Sequence, residues 1–88
     1  MIERQVTIVN TLGIHARPAT LVAQVAQRFQ SDITVEKDGL EVNAKSVMGV
    51  MMLVAAKGSV ITIRASGPDE ADAAEALVKL VEDGFGEE

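Results

Sequence analysis

The chain has 88 residues, 48% of them apolar, with no Cys, Trp or Tyr, two Phe, one His and a net charge of −5. That length suits one domain over residues 1–88 with a core of Val, Ile, Leu, Met and Ala, and it leaves no thiolate for a disulfide and too few histidines for a zinc site. The longest wholly apolar run, Val50 to Ala56, is far short of the roughly 20 residues of a membrane span, no charged-then-apolar leader opens the chain, and the acidic balance argues against general nucleic-acid binding.

Ile2, Val6 and Ile8 alternate with Glu3, Gln5 and Thr7, the period of a strand with one buried face. Asn10 to Gly13 is turn chemistry. From Ala16 to Phe29 the apolar spacing becomes helical, with Leu21, Val22, Val25, Ala26 and Phe29 on one side. Ile33 to Lys37 alternates again, and Asp38-Gly39 is a hairpin signal that returns the chain through Leu40 to Asn43. Ser46 can cap a short helix over Val47–Leu53. Val60 to Arg64 is a fourth strand, rich in β-branched residues. After Gly67-Pro68 a last helix begins near Asp69, with acids in its first turn, where the helix dipole favours them. Its apolar side is Ala73, Ala74, Leu77, Val78, Leu80 and Val81, and Gly84 ends it. The order β-α-β-β-α-β-α predicts an α+β fold, an open-faced β-sandwich: a four-stranded antiparallel sheet with three helices on one face and solvent on the other.

The charge is uneven. Residues 1–64 sum to +2 and residues 65–88 to −7, while 10–31 and 42–68 contain no acid at all. A neutral or basic surface on an acidic protein points to an anionic ligand or an acidic partner.

Two segments lie in those acid-free stretches. In Gly13-Ile14-His15-Ala16-Arg17-Pro18-Ala19 the sole histidine stands at a helix start. Neutral imidazole is a competent nucleophile near neutral pH. A helix start offers free backbone N–H groups, and Arg17 adds a guanidinium matched to phosphate oxygens. Together they suit a histidine that accepts and passes on a phosphoryl group; a solvent-facing His beside a surface Arg is the plainer alternative. In Lys45-Ser46-Val47-Met48-Gly49-Val50-Met51-Met52-Leu53 the residues after Ser46 are apolar except Gly49. A two-turn helix cannot bury every side, so some of Val47, Met48, Met51 and Met52 are expected at the surface as a docking patch; a loosely packed core helix is the alternative. A phosphoserine at Ser46 would sit at a helix start, with Lys45 next in sequence, without unfolding anything.

Both segments resemble the signatures of the HPr family, the histidine-containing phosphocarriers of the bacterial phosphoenolpyruvate-dependent phosphotransferase system, at that family's usual separation. The resemblance extends through Ala56-Lys57-Gly58, the hairpin and the last helix. It implies that His15 is phosphorylated at Nδ1 by enzyme I, with Arg17 beside it, and that the phosphoryl group passes to an enzyme IIA component. It implies that Ser46 is the serine modified by HPr kinase/phosphorylase in bacteria that have it, and the apolar patch of Val47, Met48 and Met51 beside it is expected to dock partners. Such a protein is a cytoplasmic monomer that carries phosphoryl groups without being a free-standing catalyst, and it needs no cofactor, metal, nucleic acid or membrane insertion. Leu12 and the tail from Gly84 resemble the nitrogen-related branch, whereas Val47 to Met51 resembles the sugar branch. Met52 stands where many regulated members have a small polar residue. Two readings from other classes remain: a small-molecule binding module on a similar sandwich, and a scaffold that uses the Met-rich helix alone.

Overall fold

The computed structural model describes residues 1–87. Four strands, β1 (Ile2–Thr7), β2 (Asp32–Lys37), β3 (Leu40–Asn43) and β4 (Val60–Ser66), form one antiparallel sheet in the order β1-β4-β2-β3. Helices α1 (Ala16–Ala26), α2 (Val47–Met51) and α3 (Glu70–Glu82) complete the β-α-β-β-α-β-α order, and a 3₁₀ turn, Gly84–Gly86, follows.

Alternation decides which sheet face is covered. Val6, Ile33, Val35, Ile61, Ile63 and Ala65 point toward the helices and are buried. They meet Ala19, Val22 and Ala26 of α1, Val50 of α2, and Ala73, Leu77 and Val81 of α3 in one core. The opposite face carries Glu3, Thr34, Glu36, Glu41 and Arg64. There the Arg64 guanidinium donates to Glu36 and, at 3.2 Å, to Glu41, and lies 3.4 Å from Glu3. The hairpin turns at Asp38 and Gly39, both at positive φ (51° and 87°), as a two-residue loop requires.

Two helices are shorter than their apolar spacing predicts. α1 stops at Ala26 rather than Phe29: the Arg28 and Phe29 N–H groups tighten to carbonyls three residues back, and the residues after them find partners outside the helix. Asp69 accepts from the Gln30 and Ser31 N–H groups, both at 2.9 Å, and from Ser31 Oγ at 2.5 Å, while the Phe29 carbonyl accepts from Lys45 Nζ at 2.8 Å. α2 ends at Met51 rather than Leu53. The Leu53 and Val54 N–H groups tighten to the carbonyls three residues back, which turns Leu53 into the core. The tail after α3 is also part of the fold: Phe85 is 2% exposed, although the sequence around it reads as a chain end.

Candidate functional site

His15 is the N-cap residue of α1, with extended backbone (φ −117°, ψ −164°) and no side-chain bond to the helix. Its position is set by the loop before it. Gly13 has φ +68°, and a Cβ there would collide with the Ala55 carbonyl oxygen, so only glycine lets the loop press this closely on the segment after α2. The Ile14 N–H donates to that same carbonyl at 2.8 Å, and the Gly13 N–H to Asn10 O at 3.2 Å.

Ala19 N–H makes the first intrahelical bond, to His15 O at 3.0 Å. The N–H groups of Ala16 and Arg17 precede it and have no acceptor within the helix, and Pro18 has none to offer. Pro18 is buried and Arg17 exposed; among the described residues Arg17 forms no ion pair. The helix start therefore presents two free donors and a guanidinium beside a half-exposed imidazole.

One partner of His15 comes from the far end of the chain. His15 Nε2 lies 2.9 Å from Glu87 Oε1. The same oxygen accepts from Asn10 Nδ2 at 2.9 Å, and that amide also donates to Gly13 O at 2.7 Å. The bond from His15, then the bond from Asn10, and more weakly the charges of His15 and Arg17, hold the Glu87 carboxyl below the usual carboxylate range. An ionised carboxylate can only accept, so in the neutral ring the proton sits on Nε2 and the lone pair on Nδ1.

Ser46 is the N-cap of α2, and its Oγ accepts from the Gly49 N–H at 3.0 Å. Lys45, adjacent in sequence, sends its ammonium away to Phe29 O. Along α2 the side chains divide. Val50 is fully buried, Val47 is half-buried against the core, and Met48, Met51 and Met52 are 77%, 42% and 64% exposed. Leu12 and Val54 add further exposed apolar surface in the two loops that meet at Gly13 and Ala55. Beneath them, the apolar void lined by Ile14, Val22 and Val50 among others holds about 10 Å³, room for no more than a water.

Sequence reasoning brings forward His15, Arg17 and Ser46 but passes over Asn10, Phe85 and Glu87. The available signal was Gly84-Phe85-Gly86, one of the chain's two aromatic residues between two glycines. A large apolar residue framed by turn formers is an anchor more often than a fraying end.

The chain matches the family model described as the PTS HPr component phosphorylation site over residues 2–83. It is 46% identical over 87 residues to the phosphocarrier protein HPr of Cupriavidus necator, an alignment that covers 99% of this chain and 98% of that one. The crystal structure of HPr-C-His from Thermoanaerobacter tengcongensis superposes with a TM-score of 0.95 at 51% identity, covering 100% of this chain and 99% of the other. The crystal structure of an HPr dimer from the same organism gives a TM-score of 0.79 at 50% identity, covering 99% and 100%.

Proposed function

The chain belongs to the HPr family, the phosphocarriers of the phosphotransferase system, and from that membership we propose which of its atoms carry the phosphoryl group and which residues meet its partners. The acceptor is His15 Nδ1. Its lone pair attacks the phosphorus of a phosphohistidine on enzyme I. The donor P–N bond breaks as the new one forms, and the donor ring keeps the electron pair. The reverse step delivers the group to an enzyme IIA component.

The observation that carries this reading is the single histidine at the start of α1, with Nε2 occupied by Glu87 and Nδ1 without a partner among the described residues. The free N–H groups of Ala16 and Arg17 and the Arg17 guanidinium supply donors for phosphoryl oxygens.

Partners dock on Val47, Met48 and Met51. The exposure of the two methionines supports this, because a thioether side chain adapts to several surfaces. Ser46 is the regulatory serine for a kinase of the HPr kinase/phosphorylase kind. A phosphate there keeps the capping role and gains acceptor oxygens for the N–H groups of α2, while it adds about −1.5 to −2 charges beside the docking methionines. We read the carrier as a cytoplasmic monomer; the contacts of His15 with Glu87 and of Glu87 with Asn10 are completed within one chain, which is consistent with that reading.

The test is incubation with phosphoenolpyruvate and enzyme I, followed by mass measurement. One acid-labile, alkali-stable phosphoryl group is expected, absent in His15→Ala. Label that survives in His15→Ala would refute the assignment.

A further inference from the structure

We propose that Glu87 is a positioning residue for phosphoryl transfer: its carboxylate holds the Nε2 proton of His15, so that the ring presents Nδ1 as the nucleophile and shares its developing positive charge with a fixed anion. The proposal rests on His15 being the phosphoryl acceptor.

The contact is built. It joins residues 72 apart in sequence. The chain reaches it through Gly84, Phe85 and Gly86, three successive residues at positive φ (64°, 58° and 75°). A non-glycine residue resists that conformation. Phe85 adopts it with its ring buried in the core, which pins the turn. The Gly86 and Glu87 N–H groups then close back on Asp83 O and Gly84 O at 3.2 and 3.0 Å. The Glu87 side chain is left 17% exposed.

Asn10 gives the second, independent observation. It is 1% exposed and spends its amide donors on Gly13 O and Glu87 Oε1. Both are acceptors, so the amide orientation is fixed. Its own Oδ1 is left as the buried side-chain oxygen without a partner among the described residues. A buried polar atom is seldom left unpaired. Here one amide ties the loop before His15 and the tail carboxylate to a single point, so ring and carboxylate are held in one frame.

The chemistry follows from where the proton sits. Neutral imidazole has one N–H shared between two tautomers, and the partner of one nitrogen decides which. With Glu87 on Nε2, the attacking electron pair is on Nδ1. As the P–Nδ1 bond forms, the ring becomes formally cationic and the proton stays on Nε2. The hydrogen bond then runs from a cationic donor to an anionic acceptor. It is stronger in the transition state than before attack, which is the condition for raising a rate. On transfer to the next histidine the P–Nδ1 bond breaks, the electron pair returns to Nδ1, and the same proton is still in place.

Glu87→Gln tests this. The amide keeps the length and one acceptor oxygen and removes the charge. Three quantities are read: the single-turnover rate from phosphorylated enzyme I, the ¹⁵N spectrum of the His15 ring in alkaline buffer, and the thermal midpoint. The expectation is a rate about fivefold lower, the difference between a charged and a neutral hydrogen-bond acceptor. The ring spectrum should gain the Nδ1–H tautomer, and the midpoint should stay within about 2 °C of wild type, since the amide is isosteric and its oxygen still accepts from Asn10. A wild-type rate with an unchanged ring spectrum overturns the proposal. A slow variant with a lowered midpoint and an unchanged ring spectrum also overturns it, since Glu87 is then only a structural clamp. Failure of the parent protein to be labelled at His15 would sink the acceptor assignment instead, so the two failures are distinguishable.

Discussion

Val54 stands at φ +49°, a left-handed position that a β-branched residue rarely occupies, and its side chain is 75% exposed. Its N–H reaches only Met51 O, at 3.3 Å. Left-handed backbone costs an L-residue about 1–2 kcal/mol, and branching at Cβ puts valine toward the upper end. Glycine relieves all of it but gives back about 0.5–1 kcal/mol in unfolded-chain entropy. The buried quarter of the valine side chain is worth under about 0.5 kcal/mol by area. Val54→Gly should therefore stabilise the fold by about 0.5–1 kcal/mol, and the melting midpoint should rise by roughly 2–8 °C for a domain of this size. Val54→Thr keeps the branch and the strain and should melt with wild type. Scanning calorimetry on the three proteins decides it. A glycine variant that melts at or below wild type, beside an unchanged threonine variant, would refute the claim that strain resides here. The loop also grips Gly13 through Ala55, so transfer from enzyme I should be measured on the same samples. A faster-melting threonine variant would show that the valine side chain packs more than its exposure implies.

Two further perturbations separate surface from scaffold. Met48→Asp should leave the midpoint almost unmoved, because a side chain 77% exposed tolerates charge, while KM for phosphorylated enzyme I rises about five- to thirtyfold, as for loss of a docking contact worth about 1–2 kcal/mol; a collapse of the midpoint with KM unchanged would return Met48 to the core. The Asp69 carboxyl is held below the usual carboxylate range, first by the Ser31 hydroxyl and then by the Gln30 and Ser31 N–H groups. Its folded value lies below its unfolded one, so the stability it contributes is complete above the unfolded value of about 3.9 and is lost as pH falls through the folded one. Asp69→Asn should melt lower than wild type at neutral pH, with the gap closing in acid; a gap of the same size from pH 7 to pH 2 would contradict this.

The strands and the faces of the helices were legible because each rests on a local period: alternation in 33–37 and 60–64, and the three-to-four spacing of Val22, Ala26, Ala73, Leu77 and Val81. The helix ends were not, because tertiary partners decide them. Phe29 continues the apolar stripe of α1, yet the Ser31–Asp69 bonds stop the helix three residues earlier. The three-residue periodicity of a sequence cannot register a competitor 38 residues away. The helix starts at His15 and Ser46 could be read because they depend on neighbours in sequence. The His15–Glu87 contact could not, since it depends on a tail folded back by a buried phenylalanine. Asn10 was hidden for a related reason: in sequence it is an ordinary turn former, and only burial to 1% shows that its amide has work beyond the turn.

The charge pattern gains a second meaning once the tail is in place. The segments that form α1 and α2 hold no acid, which leaves Arg17 and the helix-start amides of α1 open to an anionic partner. Most of the acids lie on α3 and beyond, and one of these returns: Glu87, from the acidic end, is set beside the imidazole. A carboxylate near an incoming phosphoryl group would repel it if it faced the attacking nitrogen. It does not. It binds Nε2, on the far side of the ring from Nδ1, and the protonated edge lies between the two anions. Arg17 is near enough for its charge to be felt at Glu87 as well. Among the described residues, the site thus places the Glu87 carboxylate where it can pull on the ring proton and the Arg17 guanidinium where it can offset that carboxylate. Exchanging the two charges would keep the sum and reverse both effects: a cation at Nε2 would draw the ring's electrons away from phosphorus, and an anion at the helix start would repel the group to be carried. Net charge at the site therefore says little about transfer; which ring nitrogen meets the carboxylate is what the fold specifies.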